Sequence, residues 1–433
     1  MTHRAPAGRT LKVDSLARVE GEGALYIETV HGQVADVQLR IYEPPRFFEA
    51  FLRGRSYLEP PDITARICGI CPVAYQMSAC RAIEDACGVV VDGPLELLRR
   101  ILYAGEWIES HTLHIYLLHA PDFFGLDSAV QLAERDRPSV ERGLRLKKAG
   151  NQLIEFIGGR AIHPVNVRVG GFHRVPTSRE LQRLRPGLER ARDDALATVE
   201  WVAGFEFPDA GHDYTFVSVR EHDRYPVLGG RVVSNRGLDI SEAEFLDRVT
   251  EEQVEHSNAL HATLDGDHYL CGALARYSLN HDRLRPAASD AARRAGLGAT
   301  CTNPFRSIVV RAVEVLHACE EALAAIDAYE EPDTPALPVE PRAGVGHAAT
   351  EAPRGLLYHR YVLEEDGTIA DAVIVPPTSQ NQPTIEHDLW HLVEDNLALD
   401  DEALTRRCEM AIRNHDPCIS CATHFLELER VDR

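Results

Sequence analysis

The chain has 433 residues, 44% of them apolar, enough for two or three ordinary domains or one large unit around a shared core. Its 46 basic and 67 acidic residues give a formal charge of −21, which argues against nucleic acid and anionic membranes as main partners and suits a soluble surface. No apolar run is long enough to span a bilayer and the first residues lack the apolar stretch of a signal peptide, so a soluble, cytoplasmic protein is expected.

In chain order, residues 11–42 alternate apolar and polar side chains around His31-Gly32, which predicts an antiparallel strand layer. From Arg46 to about Val90 the period becomes helical, with a break at Glu59-Pro60-Pro61-Asp62. Long helices are predicted over 94–119 and 140–158. Two more are predicted over 177–205, separated at Pro186-Gly187, and single helices over 241–265 and 303–329. A Pro-rich stretch over 330–343 reads as a linker. Strands near 356–363 and 369–375 and helices over 385–413 complete the pattern. The expected fold is α+β and mainly helical: a strand layer at 11–42, a helical core at 43–329 and a C-terminal part at 344–433 within one large unit.

Ten cysteines in such a chain point to metal or redox chemistry more than to a disulfide framework. Cys80, Cys87, Cys271, Cys301, Cys319 and Cys408 have no ligand-like spacing and read as small buried hydrophobes. Cys80 and Cys87, seven apart, would share one helical face. The other four form two Cys-x-x-Cys pairs near opposite ends: Arg66-Ile-Cys68-Gly-Ile-Cys71 and Asp416-Pro-Cys418-Ile-Ser-Cys421-Ala-Thr-His424. Spacing alone leaves a structural zinc site, a redox dithiol and a catalytic metal centre all open.

The flanks narrow the choice. The two pairs strongly resemble the paired signatures of the nickel–iron hydrogenase large subunit. Further segments match that family in the same order: Ala17-Arg-Val-Glu20-Gly, Arg46-Phe-Phe-Glu49, Ser110-His111-x-x-His114, Pro121-Asp122, Gly159-Arg160-x-x-His163, Leu274-Ala-Arg276-Tyr, Glu351-Ala-Pro-Arg354-Gly and Thr378-Ser-Gln-Asn381. The resemblance implies that Cys68 and Cys418 are terminal nickel ligands, and that Cys71 and Cys421 bridge nickel to an iron carrying CO and cyanide. Soft thiolates suit such metals. It further implies that Cys418 takes a proton from hydrogen and Glu20 relays it, while Arg354, oriented by Asp416, stands over the open site and Thr378 donates to a cyanide. Glu49, the backbone of Ile374 and His424 would hold a magnesium (or iron) ion. His111, His114 and His163 are expected to be hydrogen-bonded core residues.

Two positions depart from the family pattern. Tyr75 stands four past the second cysteine, where histidine is frequent, and Ser110 stands where an aspartate is frequent. Together with the Cys flanks these look most like the cytoplasmic, nucleotide-linked branch. The partners then implied are an iron–sulfur small subunit, diaphorase-type flavin and iron–sulfur subunits linked to NAD(P), and maturation proteins with an endopeptidase. The residues after His424 could be a cleaved extension or remain. Two relatives of the same fold are alternatives: a hydrogen sensor, and a respiratory quinone-site scaffold lacking the four cysteines.

Overall fold

The computed structural model describes residues 8–423. The alternating N-terminal residues form an antiparallel meander of β1 (Arg9–Val13), β2 (Gly23–Val30) and β3 (Gln33–Ile41). Its tightest turn is His31-Gly32, both with positive φ, as a two-residue hairpin loop requires. Leu25 and Ile27 pair with Leu39 and Val37, and this apolar face packs on Ile385, Leu389, Leu404 and Ile412 from two late helices.

Helices follow: α1 (Phe48–Leu52), α2 (Pro60–Thr64), α3 (Pro72–Cys87), α4 (Gly93–Leu113), α5 (Ala120–Phe123), α6 (Ala129–Arg135) and α7 (Arg137–Gly158). A π-helical turn at His114–His119 joins α4 to α5, so the predicted long helix continues past its expected end. A short hairpin of β4 (Val167–Arg168) and β5 (Gly171–Phe172) leads to α8 (Ser178–Gln182) and α9 (Arg185–Ala203). The two helices meet at Arg183-Leu184 and not at Pro186-Gly187. Pro186 lies in the first turn of α9, where its missing N–H is harmless.

The middle of the chain departs most from expectation. Residues 217–220, 231–234 and 239–240 form a sheet of β6, β7 and β8 that was not predicted. The helix expected over 241–265 is instead one short helix, α10 (Phe245–Arg248), and a hairpin of β9 (Val249–Gln253) and β10 (Leu260–Leu264). The apolar spacing was ambiguous over this length, and tertiary pairing of Val249 with Leu264 decided it. Next come α11 (Ala273–Asn280), α12 (Pro286–Arg294) and α13 (Ser307–Ala328).

The Pro-rich stretch is pinned to the hairpin β4–β5: Phe172 N donates to Pro335 O at 2.9 Å and Leu337 N to Gly170 O at 2.9 Å. A late sheet contains β12 (Gly355–Leu363) and β13 (Ile369–Val375), as expected, plus the unpredicted β11 (Gly344–Ala352). The chain closes with α14 (Pro377–Asp395), α15 (Asp401–His415) and α16 (Ile419–Ala422). Helices α4 and α13 are buried on almost every side over 101–112 and 307–319, so they form the centre on which α3, α7 and α9 pack.

Candidate metal centre

Cys71 is the N-cap of α3, followed by Pro72 at a position that needs no N–H donor. The exposed donors of this helix start are met by Glu106 of α4, which accepts from Val73 N at 2.6 Å and Ala74 N at 3.0 Å. The first cysteine pair is therefore held by the central helix. The second pair follows α15, where Asp416 takes a left-handed conformation and turns the chain inward. Glu20 runs beside it as a one-residue bridge to Cys418, with Ile419 N donating to Glu20 O at 3.1 Å.

Arg46 joins the two segments through one nitrogen that donates to Ile67 O at 2.6 Å and to Ser420 O. All four cysteines are at least 97% buried. Cys68 Sγ lies 3.5 Å from Cys418 Sγ, Cys71 Sγ 3.4 Å from Cys421 Sγ, and Cys418 Sγ 2.6 Å from Cys421 Sγ. These exceed an S–S bond of about 2.05 Å, and the four sulfurs lie within 4.8 Å of one another.

The four thiols cannot ionise together without a cation. Hydrogen bonds from the neighbouring thiols, Cys418 first, hold Cys68 well below the ordinary thiol range, whereas burial pushes Cys418 well above it. Arg354 brings positive charge to the site. Its Nε donates to Asp416 O at 3.0 Å and its Nη2 to Asp416 Oδ1 at 3.2 Å, while Nη1 is buried without a protein partner. The donor set and that unspent donor both fit a soft, thiolate-bound metal centre with a polar ligand facing Arg354.

The segment leading to Arg354 is held by a buried network in which Arg276 and Glu351 lie in segments matched by sequence, while Glu314 does not. Arg276 of α11 grips Glu314 of α13 through two bonds of 2.7 and 2.8 Å, binds Glu351 at 2.8 Å, and donates to Ala352 O and Pro353 O. Its guanidinium stacks 4.2 Å over the Trp107 ring. The segment Glu351-Ala-Pro-Arg354 was singled out by resemblance, but nothing local to it signals Glu314, far away in sequence. A second clamp, Arg413 with Asp122 at 2.7 and 2.8 Å, also reaches Ala17 O at 2.7 Å and ties the loop that carries Glu20 to α15.

Of the other expected residues, Thr378 Oγ1 accepts from Cys418 N at 2.9 Å. Glu20 Oε2 accepts from Ser420 N at 3.1 Å, and burial followed by the Cys68 charge raises the Glu20 pKa. Tyr75 is buried, and burial and the nearby thiols push its phenol well above the ordinary value. Ser110 is buried with its hydroxyl unpartnered. Of the three histidines expected to be hydrogen-bonded core residues, His114 is one, its Nε2 bonding Arg413 O at 2.7 Å. His163 Nδ1 bonds Ala65 O at 2.7 Å but is half-buried, and His111 is buried with Nε2 2.9 Å from Glu314 and neither ring nitrogen in a hydrogen bond.

At a separate spot, Glu49 Oε1 accepts from Ile374 N at 2.7 Å, and Thr423 O accepts from Arg46 N at 2.8 Å nearby in the chain. Glu251 adds a buried, unpartnered oxygen there, its pKa raised by burial and then by Glu49. An oxygen-rich set of this kind suits a hard cation. His424 lies outside the described residues.

The family model for nickel-dependent hydrogenases matches residues 46–140 and 269–424, which hold both cysteine pairs. This chain belongs to that family. The sulfhydrogenase 1 alpha subunit of Pyrococcus furiosus is 33% identical over 96% of this chain and 98% of that protein. The beta subunit of the NAD-reducing hydrogenase HoxS of Cupriavidus necator is 27% identical over 96% of this chain and 95% of that protein. A solved NAD+-reducing [NiFe]-hydrogenase in its H2-reduced state superposes with a TM-score of 0.87 at 28% identity, covering 97% of this chain and all of that one. The nickel–iron–selenium hydrogenase of D. vulgaris Hildenborough shares the fold, with a TM-score of 0.76 at 22% identity. The chain is a hydrogenase catalytic subunit with the α+β, mainly helical fold of that family, and its four clustered cysteines fit a nickel–iron centre. No helix among the described residues is long and apolar enough to cross a membrane.

Proposed function

We propose that the Cys68, Cys71, Cys418 and Cys421 thiolates would together hold the nickel and the CO- and cyanide-bearing iron of this hydrogenase, whose substrate is H2. When bound, this centre supplies the Lewis acidity and the two-electron redox capacity that heterolysis of hydrogen needs. The observation that carries the reading is the convergence of four buried sulfurs under an arginine with one unspent N–H donor.

Cys418 Sγ is the base that takes the proton, and the Glu20 carboxyl receives it. A carboxyl whose pKa is raised by burial is suited to pass a proton on at neutral pH. Arg354 Nη1 polarises the reacting site while Asp416 fixes its plane. Thr378 uses its oxygen to hold Cys418 N, which leaves its O–H to donate to a cyanide. Glu49, the Ile374 carbonyl and His424 would hold magnesium, which would fasten the C-terminal segment.

Electrons leave through an iron–sulfur small subunit and reach NAD(P) through flavin-containing subunits in the cytoplasm. Support comes from the NAD-reducing relative and the NAD+-reducing structure. The test is metal analysis and infrared spectroscopy of the purified complex. Nickel and iron are expected, with absorption in the metal–CO and cyanide region; absence of nickel or of those bands removes the assignment.

A further inference from the structure

Away from the cysteines, one other group among the described residues gathers metal-type donor atoms: His256, His261 and Glu386, with donor atoms within 4.8 Å of one another. His256 lies in the loop between β9 and β10, His261 on β10 and Glu386 on α14. The loop is fixed from two sides. Gln382, one turn before Glu386, donates to Ser257 Oγ at 2.9 Å and Leu39 O at 3.1 Å, and Asn258 N donates to Ile41 O at 2.6 Å.

Glu386 is held in place through Oε1, which accepts from Leu39 N at 2.8 Å and lies 2.8 Å from His256 Nε2. His261 is 8% exposed, and its Nε2 is buried with no partner in the protein. Its ring stands edge-on to that of His256, with centroids 5.5 Å apart. Burial lowers its pKa, with Glu386 raising it and His256 lowering it. A neutral imidazole with an unmet ring nitrogen beside a carboxylate and a second imidazole is the usual protein setting for a transition metal. His256 and Glu386 keep 22% and 16% side-chain exposure, which gives an ion a path from solvent.

We propose that His256, His261 and Glu386 form a further metal site, for one divalent ion of the zinc class, with its fourth position left to water. Two nitrogens and one carboxylate disfavour magnesium and calcium. The ion would clamp the β9–β10 hairpin to α14 and β3. Ala259 of the same loop packs on Ile41, Ile419 and Ala422, so the clamp would back the segment carrying the second cysteine pair.

The test uses the purified, assembled enzyme, dialysed against a chelator and then titrated with zinc alone. Wild type is expected to bind one zinc per chain that His256→Gln and His261→Gln bind about a hundredfold more weakly. His256→Gln, whose partly exposed site keeps the fold, decides the matter if His261→Gln does not assemble. Equal zinc binding by wild type and His256→Gln overturns the proposal. So does loss of that zinc only in a His387→Asn, His391→Asn double variant, since those exposed residues also place two Nε2 atoms 3.2 Å apart.

Discussion

Glu20 has an ambiguous sequence context, because one glutamate in an N-terminal strand segment is ordinarily a surface residue. Its neighbours in space decide otherwise: Ser420 N holds one carboxylate oxygen, and burial raises the pKa. Glu20→Gln keeps an acceptor for Ser420 N, so metal content should be unchanged. Loss of the carboxyl should lower proton–deuterium exchange by about 10² to 10⁴, measured by mass spectrometry under D2. Exchange at the wild-type rate would remove Glu20 from the proton route. Tyr75 is the opposite case, since its identity alone excludes titration near neutrality and burial strengthens that exclusion.

Among elements, α4 does the most to connect core and site, because Glu106 caps α3 while Trp107 and His111 line the Arg276 network. It can lie this close to α7 because Gly105 and Gly150 meet at the crossing. A Cβ on Gly150 would come 2.6 Å from Gly105 O and 2.7 Å from Glu109 N. Gly150→Ala would gain about 1 kcal/mol of helix propensity on an isolated helix. Here the backbone clash should outweigh it and destabilise the protein by about 1–3 kcal/mol. Thermal denaturation of the assembled enzyme checks this; a raised midpoint would mean that the helices separate freely. The helical pattern of α4 and α7 was readable from their periods. The register between them was not, because two glycines far apart in sequence carry no mark of facing each other.

For the whole molecule, the buried polar network sets a pH response. Arg285 N donates to His317 Nδ1 at 3.1 Å, which requires a neutral ring, and burial holds that imidazole down to about 4 from its ordinary 6.5. Between those values the unfolded chain binds a proton that the folded chain refuses. The stability is therefore complete above about pH 6.5 and is lost as pH falls toward 4, by about 3 kcal/mol. Glu351, raised by burial to about 7 from 4.5, acts in the opposite direction over its own range. Comparing His317→Gln with wild type isolates the histidine: the variant's melting midpoint should fall less between pH 6.5 and 4.5. Parallel curves would rule the effect out.

The sequence by itself determined the donor chemistry, the meander, the long helices and the family, because these rest on side-chain type, local period and the short motifs around Cys68 and Cys418. Only the tertiary structure decided that residues 249–264 form a hairpin, that Glu314 and Arg276 hold the segment leading to Arg354, and that His261 faces Glu386. The physical reason is range. Helical period and a two-residue turn are fixed by neighbours a few positions apart, whereas a hairpin of ambiguous pattern and a buried ion pair take their energy from partners brought together only when the core closes.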